Sequence, residues 1–186
     1  MKNNLIGTLL IIIFSKTYSQ ISNVDLITKQ NDTIRNQELK INYFSKVELN
    51  YKLQEKVTIK EKDGTIKEYF PSDLKSFSLK LNDETLNYES IEDKFFAQPM
   101  YSNKIKLYRF IKPGYTPVNF YLVKRPNGNI SYMEAMGLGR LISKKVIIRE
   151  LSDCKSTIEK MENKILKVQG ESGVIELIKD YENSCY

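Results

Sequence analysis

Histidine is absent from this 186-residue chain, and cysteine occurs only twice. Without histidine, the side chain that most readily moves protons near neutral pH is missing. Serine–histidine–aspartate and cysteine–histidine catalysis are therefore excluded within the chain. Two cysteines without an imidazole are too few soft ligands for structural zinc, and no metal site or cofactor is expected. No basic stripe is present either: the formal charge of +6 is dispersed, its densest runs being Lys124-Arg125 and Lys144-Lys145, so nucleic acid is not an expected partner. Met136-Gly137-Leu138-Gly139-Arg140 lacks the third glycine and the Lys-Ser/Thr ending of a phosphate loop, and reads as a flexible link.

Only one long apolar run occurs, from Leu5 to Phe14, and it lies at the start. Lys2 precedes it and the short polar stretch Ser15 to Gln20 follows, with Thr17 and Ser19 at the −3 and −1 positions of a cleavage site before Gln20. A basic start, an apolar centre too short to span a bilayer and small residues at the exit read as a secretory signal peptide over 1–19. The expected mature protein keeps about 167 residues and, losing Lys2 and Lys16, a charge of about +4. No cysteine stands at the exit to carry a lipid, and no second segment resembles a transmembrane helix. The expected location is secreted or periplasmic. A mean hydropathy of −0.42, with twelve Tyr and eight Phe, fits one globular domain with a real core.

From Val24 to about Glu134 the pattern predicts strands. Val24 to Lys29 and Thr33 to Ile41 flank Gln30-Asn31-Asp32, a first hairpin. Val47 to Leu53 alternates apolar and polar and predicts a half-buried strand. Val57 to Lys60 and Thr65 to Phe70 flank Asp63-Gly64, read as a type I′ turn. Pro71-Ser72-Asp73 breaks that strand, and Phe77 to Leu81 resumes the alternation. Asn82 to Asn103 reads as a looser stretch. Lys104 to Ile111 has apolar residues on both faces, as in a strand inside the fold. Phe120 to Lys124 and Asn129 to Glu134 flank Pro126-Asn127-Gly128, another hairpin signal.

The period then changes. Ile147, Leu151, Cys154, Ile158, Met161 and Ile165 form one helical stripe, with Ser152-Asp153 as a candidate cap of a second helix. Gly170 to Gly173 ends that segment, and Val174, Leu177, Ile178, Tyr181 and Cys185 repeat the spacing. The expected fold is α+β: an antiparallel sheet, sandwich or open barrel of about 8–10 strands over 20–136, then two or three helices over 137–186 capping the same domain. Both cysteines lie on apolar stripes. They read as one disulfide, Cys154–Cys185, with a pair of free thiols as the alternative.

The runs Leu26-Ile27, Asp32-Thr33-Ile34 and Pro71-Ser72-Asp73-Leu74 with Phe77 resemble the start of a group of uncharacterised exported proteins of Bacteroidetes, flavobacteria especially. The tail Leu151-Ser152-Asp153-Cys154, with Ile178-Lys179-Asp180-Tyr181-Glu182-Asn183-Ser184-Cys185, resembles the same group's ending. Asn36 stands where that group commonly has Gly, and Lys155 where Pro often follows the first Cys. The resemblance implies export and a disulfide, and carries no activity.

No catalytic residues are assigned. Glu89 with Glu92, and Asp83-Glu84, are the carboxylate pairs that a glycosidase reading would use. Asp32-Thr33 and Ser72-Asp73 read as turn and cap chemistry. The candidate binding surface is the tyrosine-rich region with its neighbouring cations: Tyr108, Tyr115, Tyr121, Lys124, Arg125 and Tyr132. Core packing is the competing use of those rings. The expected function is a non-enzymatic interaction or structural module of the cell envelope, with an envelope protein or a glycan as partner. The alternatives are a carboxylate-based hydrolase of cell-wall or polysaccharide material, and a small-ligand carrier inside a β-barrel. Mass spectrometry of protein recovered from its native host is expected to show a chain beginning at Gln20 that gains two titratable thiols on reduction. A cytosolic chain that keeps Met1 overturns the export reading.

Overall fold

A computed structural model describes residues 23–81, 83–112, 118–136 and 141–186. The leader at 1–19, Tyr115 and the link at 137–140 lie outside the described residues. The fold is α+β, one antiparallel sheet of eleven strands that does not close, with four helices. The strands are β1 (Asn23–Thr28), β2 (Thr33–Leu39), β3 (Val57–Lys60), β4 (Ile66–Tyr69), β5 (Leu74–Leu81), β6 (Glu84–Ile91), β7 (Phe95–Ser102), β8 (Lys106–Lys112), β9 (Val118–Lys124), β10 (Ile130–Met136) and β11 (Leu141–Ile142). Their order across the sheet is β11-β10-β9-β8-β7-β6-β5-β1-β2-β3-β4. The helices are α1 (Lys46–Glu55), α2 (Lys144–Glu150), α3 (Lys155–Glu162) and α4 (Gly170–Cys185). No described helix is long and apolar enough to cross a membrane.

Three hairpins use one loop. In Thr28–Asp32, Glu61–Thr65 and Arg125–Asn129 the first residue's N–H bonds the last residue's carbonyl, and the fourth residue's N–H bonds the first residue's carbonyl. This is a type I turn closed by one left-handed residue: Asn31 at φ 71°, Gly64 at φ 90° and Gly128 at φ 86°. The type I′ reading of Asp63-Gly64 is thereby corrected, because only Gly64 of that pair crosses to positive φ.

Two further expectations are corrected. Val47 to Leu53 is helix, not strand. Ser45 caps α1 by accepting the Glu48 N–H at 3.1 Å, and the Glu48 carboxylate reaches back to the Phe44 N–H at 2.7 Å. The buried stripe is Leu49, Asn50, Leu53 and Gln54. Two of those four are polar, so a hydrophobic reading sees only the alternation. The stretch Asn82 to Asn103 contains the tight hairpin β6–β7, closed by Lys94 N–H to Ile91 carbonyl at 2.9 Å. Its central residues Glu92 (φ 50°) and Asp93 (φ 59°) hold the left-handed conformation without glycine, which hid the turn.

Strand β7 divides the sheet. Its first half pairs with β6 (Ile91↔Phe95 to Glu89↔Ala97) and its second with β8 (Gln98↔Arg109 to Ser102↔Lys106). Helix α1 lies in the fork. Leu49 and Leu53 enter the first core with Val24, Leu26, Ile59, Phe77, Leu79 and Phe96. Beyond Gln98, β8 has no β7 residue opposite Ile111; the Gln54 side chain takes that place, donating to the Ile111 carbonyl at 2.7 Å and accepting from its N–H. Asn50 Oδ1 accepts from the Tyr88 hydroxyl at 2.5 Å, Gln98 donates to that hydroxyl at 3.1 Å, and Arg109 bonds Gln98 and Glu171. Burial pushes the Tyr88 hydroxyl well above its ordinary range, keeping it a donor.

The second core packs α2, α3 and α4 on β8–β11 through Leu107, Val123, Met133, Ile147, Leu151, Val174, Leu177 and Tyr181. The expected helical cap therefore begins with a strand, β11. The helix break falls as expected, but Cys154 rather than Ser152-Asp153 is the N-cap of α3, and Ile165 leaves the stripe, 74% exposed. Cys154 and Cys185 sit at disulfide distance, 1.98 Å between sulfurs and 31 residues apart, joining α3 to the end of α4. In the chain-entropy model such a loop contributes about 3–4 kcal/mol. Glu182 is 4% exposed and accepts from Ile105 N–H at 2.8 Å, Asn103 at 2.5 Å and Tyr101 at 3.2 Å, clasping the β7–β8 turn to α4.

Gln54→Leu removes both partners of the Ile111 amide and leaves it buried. It is expected to lower unfolding free energy by roughly 2–4 kcal/mol in urea titrations. The C-terminal helices also carry an acid-sensitive contact. Burial raises the Asp180 carboxyl, but hydrogen bonds from Lys160 (2.6 Å) and Thr157 (2.8 Å) outweigh it and hold it below the ordinary carboxylate range. A carboxylate depressed in the folded state stabilises above its unfolded pKa and loses that contribution as pH falls through the folded value. Asp180→Asn is therefore expected to be less stable than the parent at pH 6, with the difference shrinking below about pH 4, as read by thermal unfolding.

Candidate functional site

Successive strand residues point to opposite faces. Val24, Leu26, Phe77, Leu79, Leu86 and Tyr88 fill the first core, so Asp25, Ile27, Ser76, Ser78, Asn87 and Glu89 face outward. Register aligns them in two rows: Asp25↔Ser78↔Asn87 and Ile27↔Ser76↔Glu89. With Thr33 and Arg35 from β2 and Pro99 from β7 they line an open groove of about 490 Å³.

Between the pairs Val24↔Gln37 and Leu26↔Ile34 the β1–β2 register slips, so Arg35 and Asn36 together oppose Asp25. Asn36 holds φ 55° and donates its N–H to Asp25 Oδ1 at 2.8 Å. A bulge of this kind bends the strand and re-aims its side chains, and here Arg35 lines the groove. Asn is among the few residues other than Gly that tolerate this left-handed φ.

The groove's hydrogen-bonding capacity is unevenly used. Glu89 accepts from the Tyr108 hydroxyl at 2.6 Å and pairs with Lys106 at 3.4 Å, while Asp25 accepts from the Asn36 N–H. The side chains of Arg35, Ser76, Ser78 and Asn87 have no hydrogen-bond or ion-pair partner among the described residues. Asp25 and Glu89 are separated by β5 and offset by two residues, so sheet spacing places their Cα atoms roughly 12 Å apart. Neither of the carboxylate pairs picked from sequence shares the groove: Glu92 pairs with Lys94 in the turn, and Glu84 pairs with Lys46.

On the same side of the sheet, β7–β10 carry an aromatic row. Phe95 packs on Phe110 at 4.8 Å, Phe110 on Phe120 at 5.1 Å and on Tyr132 at 6.5 Å, around buried Leu122 and Tyr108. Of the residues chosen from sequence, Lys124 is exposed and Tyr132 is 40% exposed. Three others are corrected from surface to interior. Tyr108 is buried in this row; burial and then the Glu89 hydrogen bond push its hydroxyl well above the ordinary range. Tyr121 is buried in the second core. Arg125 is 8% exposed and spends its donors internally, on the Tyr181 hydroxyl (2.6 Å), Ser131 (2.8 Å) and the Glu150 carbonyl (2.6 Å), with Asp153 3.3 Å away. Burial opposes its charge, yet the Tyr181 bond and the Asp153 charge hold its pKa above the ordinary value.

Arg35, Ser76, Ser78 and Asn87 were missed by sequence reading, because single polar residues in alternating strands carry no sign of which strands will be neighbours. A second depression of about 340 Å³, lined by Ile142, Ile147, Met161, Leu166 and Val168 with Lys144, Lys164 and Lys167, opens beside α2 and α3. Among the described residues the sheet does not close, and both depressions open to solvent. Compared with protein-family models, with curated proteins and with solved structures, the chain has no match in any of the three.

Proposed function

We propose that the chain is an exported, non-enzymatic binding module of the bacterial cell envelope that holds a glycan in the groove across β2, β1, β5, β6 and β7. One observation carries this reading: a row of hydroxyl, amide and guanidinium groups faces a common groove without internal partners. Polyhydroxylated ligands satisfy such groups by matching donors with acceptors, and the C–H faces of a sugar ring fit against Ile27 and Pro99. A protein partner would ask for a larger apolar centre. The signal-peptide pattern supports export, and the Cys154–Cys185 pair suits an oxidising compartment. A non-enzymatic role is supported by the two carboxylates of the groove, each of which already accepts a hydrogen bond from a fixed donor, the Asn36 N–H on Asp25 and the Tyr108 hydroxyl on Glu89.

Ser78 lies at the centre of the rows, so Ser78→Trp fills the groove from the solvent side. The parent is expected to be retained on envelope polysaccharide and glycan arrays, and S78W to lose at least tenfold in affinity with an unchanged melting temperature. Sustained release of reducing sugar by the parent, abolished in Glu89→Gln, overturns the non-enzymatic reading.

A further inference from the structure

We infer that the glycan is anionic, with one carboxylate or sulfate per repeat seated on Arg35; this rests on the groove being the glycan site. The groove holds three charged side chains, Asp25, Arg35 and Glu89, and their states differ. Asp25 is occupied by the Asn36 N–H. Glu89 is occupied by Tyr108 and Lys106. Arg35 makes no ion pair among the described residues. Glu89 is thus paired with a cation and Asp25 is held on a backbone N–H, whereas the guanidinium has no side-chain partner among the described residues.

The backbone supports the same assignment. A regular β1–β2 ladder would place one residue opposite Asp25; the bulge places two, at the expense of a left-handed Asn36. Left-handed positions and bulges of this kind recur where a strand must re-aim a side chain toward a ligand. Asp25 stabilises the bulge through the Asn36 N–H instead of pairing with the adjacent Arg35. The nearest carboxylate is thereby used on backbone and the guanidinium remains available. A planar guanidinium binds carboxylate or sulfate through two parallel N–H···O bonds, whereas a lysine offers only a point charge. Ser76, Ser78 and Asn87 then face the neutral hydroxyls of the neighbouring sugars.

Calorimetric titration of the mature protein and of Arg35→Ala, Arg35→Lys and S78W separates this inference from the one beneath it. The probes are oligogalacturonate, a heparin-derived oligosaccharide and an uncharged cello-oligosaccharide. The parent is expected to bind one charged probe at least tenfold more tightly than the neutral one, and more weakly as salt rises. R35A is expected to lose roughly 10- to 100-fold for that probe and less than threefold for the neutral one, with R35K between. Preference for the uronate assigns a carboxylate, and preference for the heparin fragment a sulfate. Equal affinity for charged and neutral probes, or equal losses in R35A, overturns the anionic assignment while S78W still reports binding in the groove. Binding of every probe unaffected by S78W overturns the groove itself and the inference with it. Asn36→Gly keeps the left-handed backbone and is expected to bind like the parent; a loss as large as that of R35A overturns the role given to the bulge.

Discussion

The division of β7 between two neighbours is the constraint on which the rest of the structure depends. A strand that pairs with β6 through its first half and β8 through its second leaves a wedge of unpaired backbone where the two half-sheets part. Unpaired amides in an interior are expensive, so something polar must enter the wedge. Helix α1 does so. Gln54 behaves as one residue of a missing strand, and Asn50, Tyr88, Gln98 and Arg109 continue a polar seam between two apolar cores. The buried tyrosine hydroxyl remains protonated and a donor, which keeps that seam connected.

The two cores are secured differently. The first is held by sheet and helix, with Leu49 and Leu53 of α1 as its lid and the Lys46–Glu84 pair tying α1 to β6 at the surface. The second is tied by covalent and charged links concentrated near the C-terminal helices: the sulfur pair, Glu182 on the β7–β8 turn, and Arg125 bridging the β9–β10 loop to Tyr181 and Asp153.

Much of this fold was legible in the sequence where chemistry is local. The hairpins at 28–32, 61–65 and 125–129 announce themselves through Asn31, Gly64 and Gly128, residues suited to the left-handed position. The four-three spacing from Ile147 to Met161 marks helices, and the two cysteines, which allow a single pairing, lie on those stripes and do meet. What failed had no local signature. Helix α1 buries Asn50 and Gln54 because of a wedge created by strands far along the chain, so its amphipathicity is partly polar on the inner side. The Glu92-Asp93 turn defies its own residue preferences because strands on both sides fix it. Arg125 looked like surface charge beside Lys124 and became a buried clasp, since nothing in Lys-Arg-Pro tells that Tyr181 will lie 56 residues away in sequence and 2.6 Å in space.

One further consequence follows from where the free polar groups sit. The side chains of Ser76, Ser78, Asn87 and Arg35 contribute to neither core and make no hydrogen bond among the described residues, although each lies between residues that pack inward. Substitution at these four positions can therefore change what the face recognises without taxing the scaffold. The outward chemistry of this face is thus uncoupled from the packing that holds the chain together.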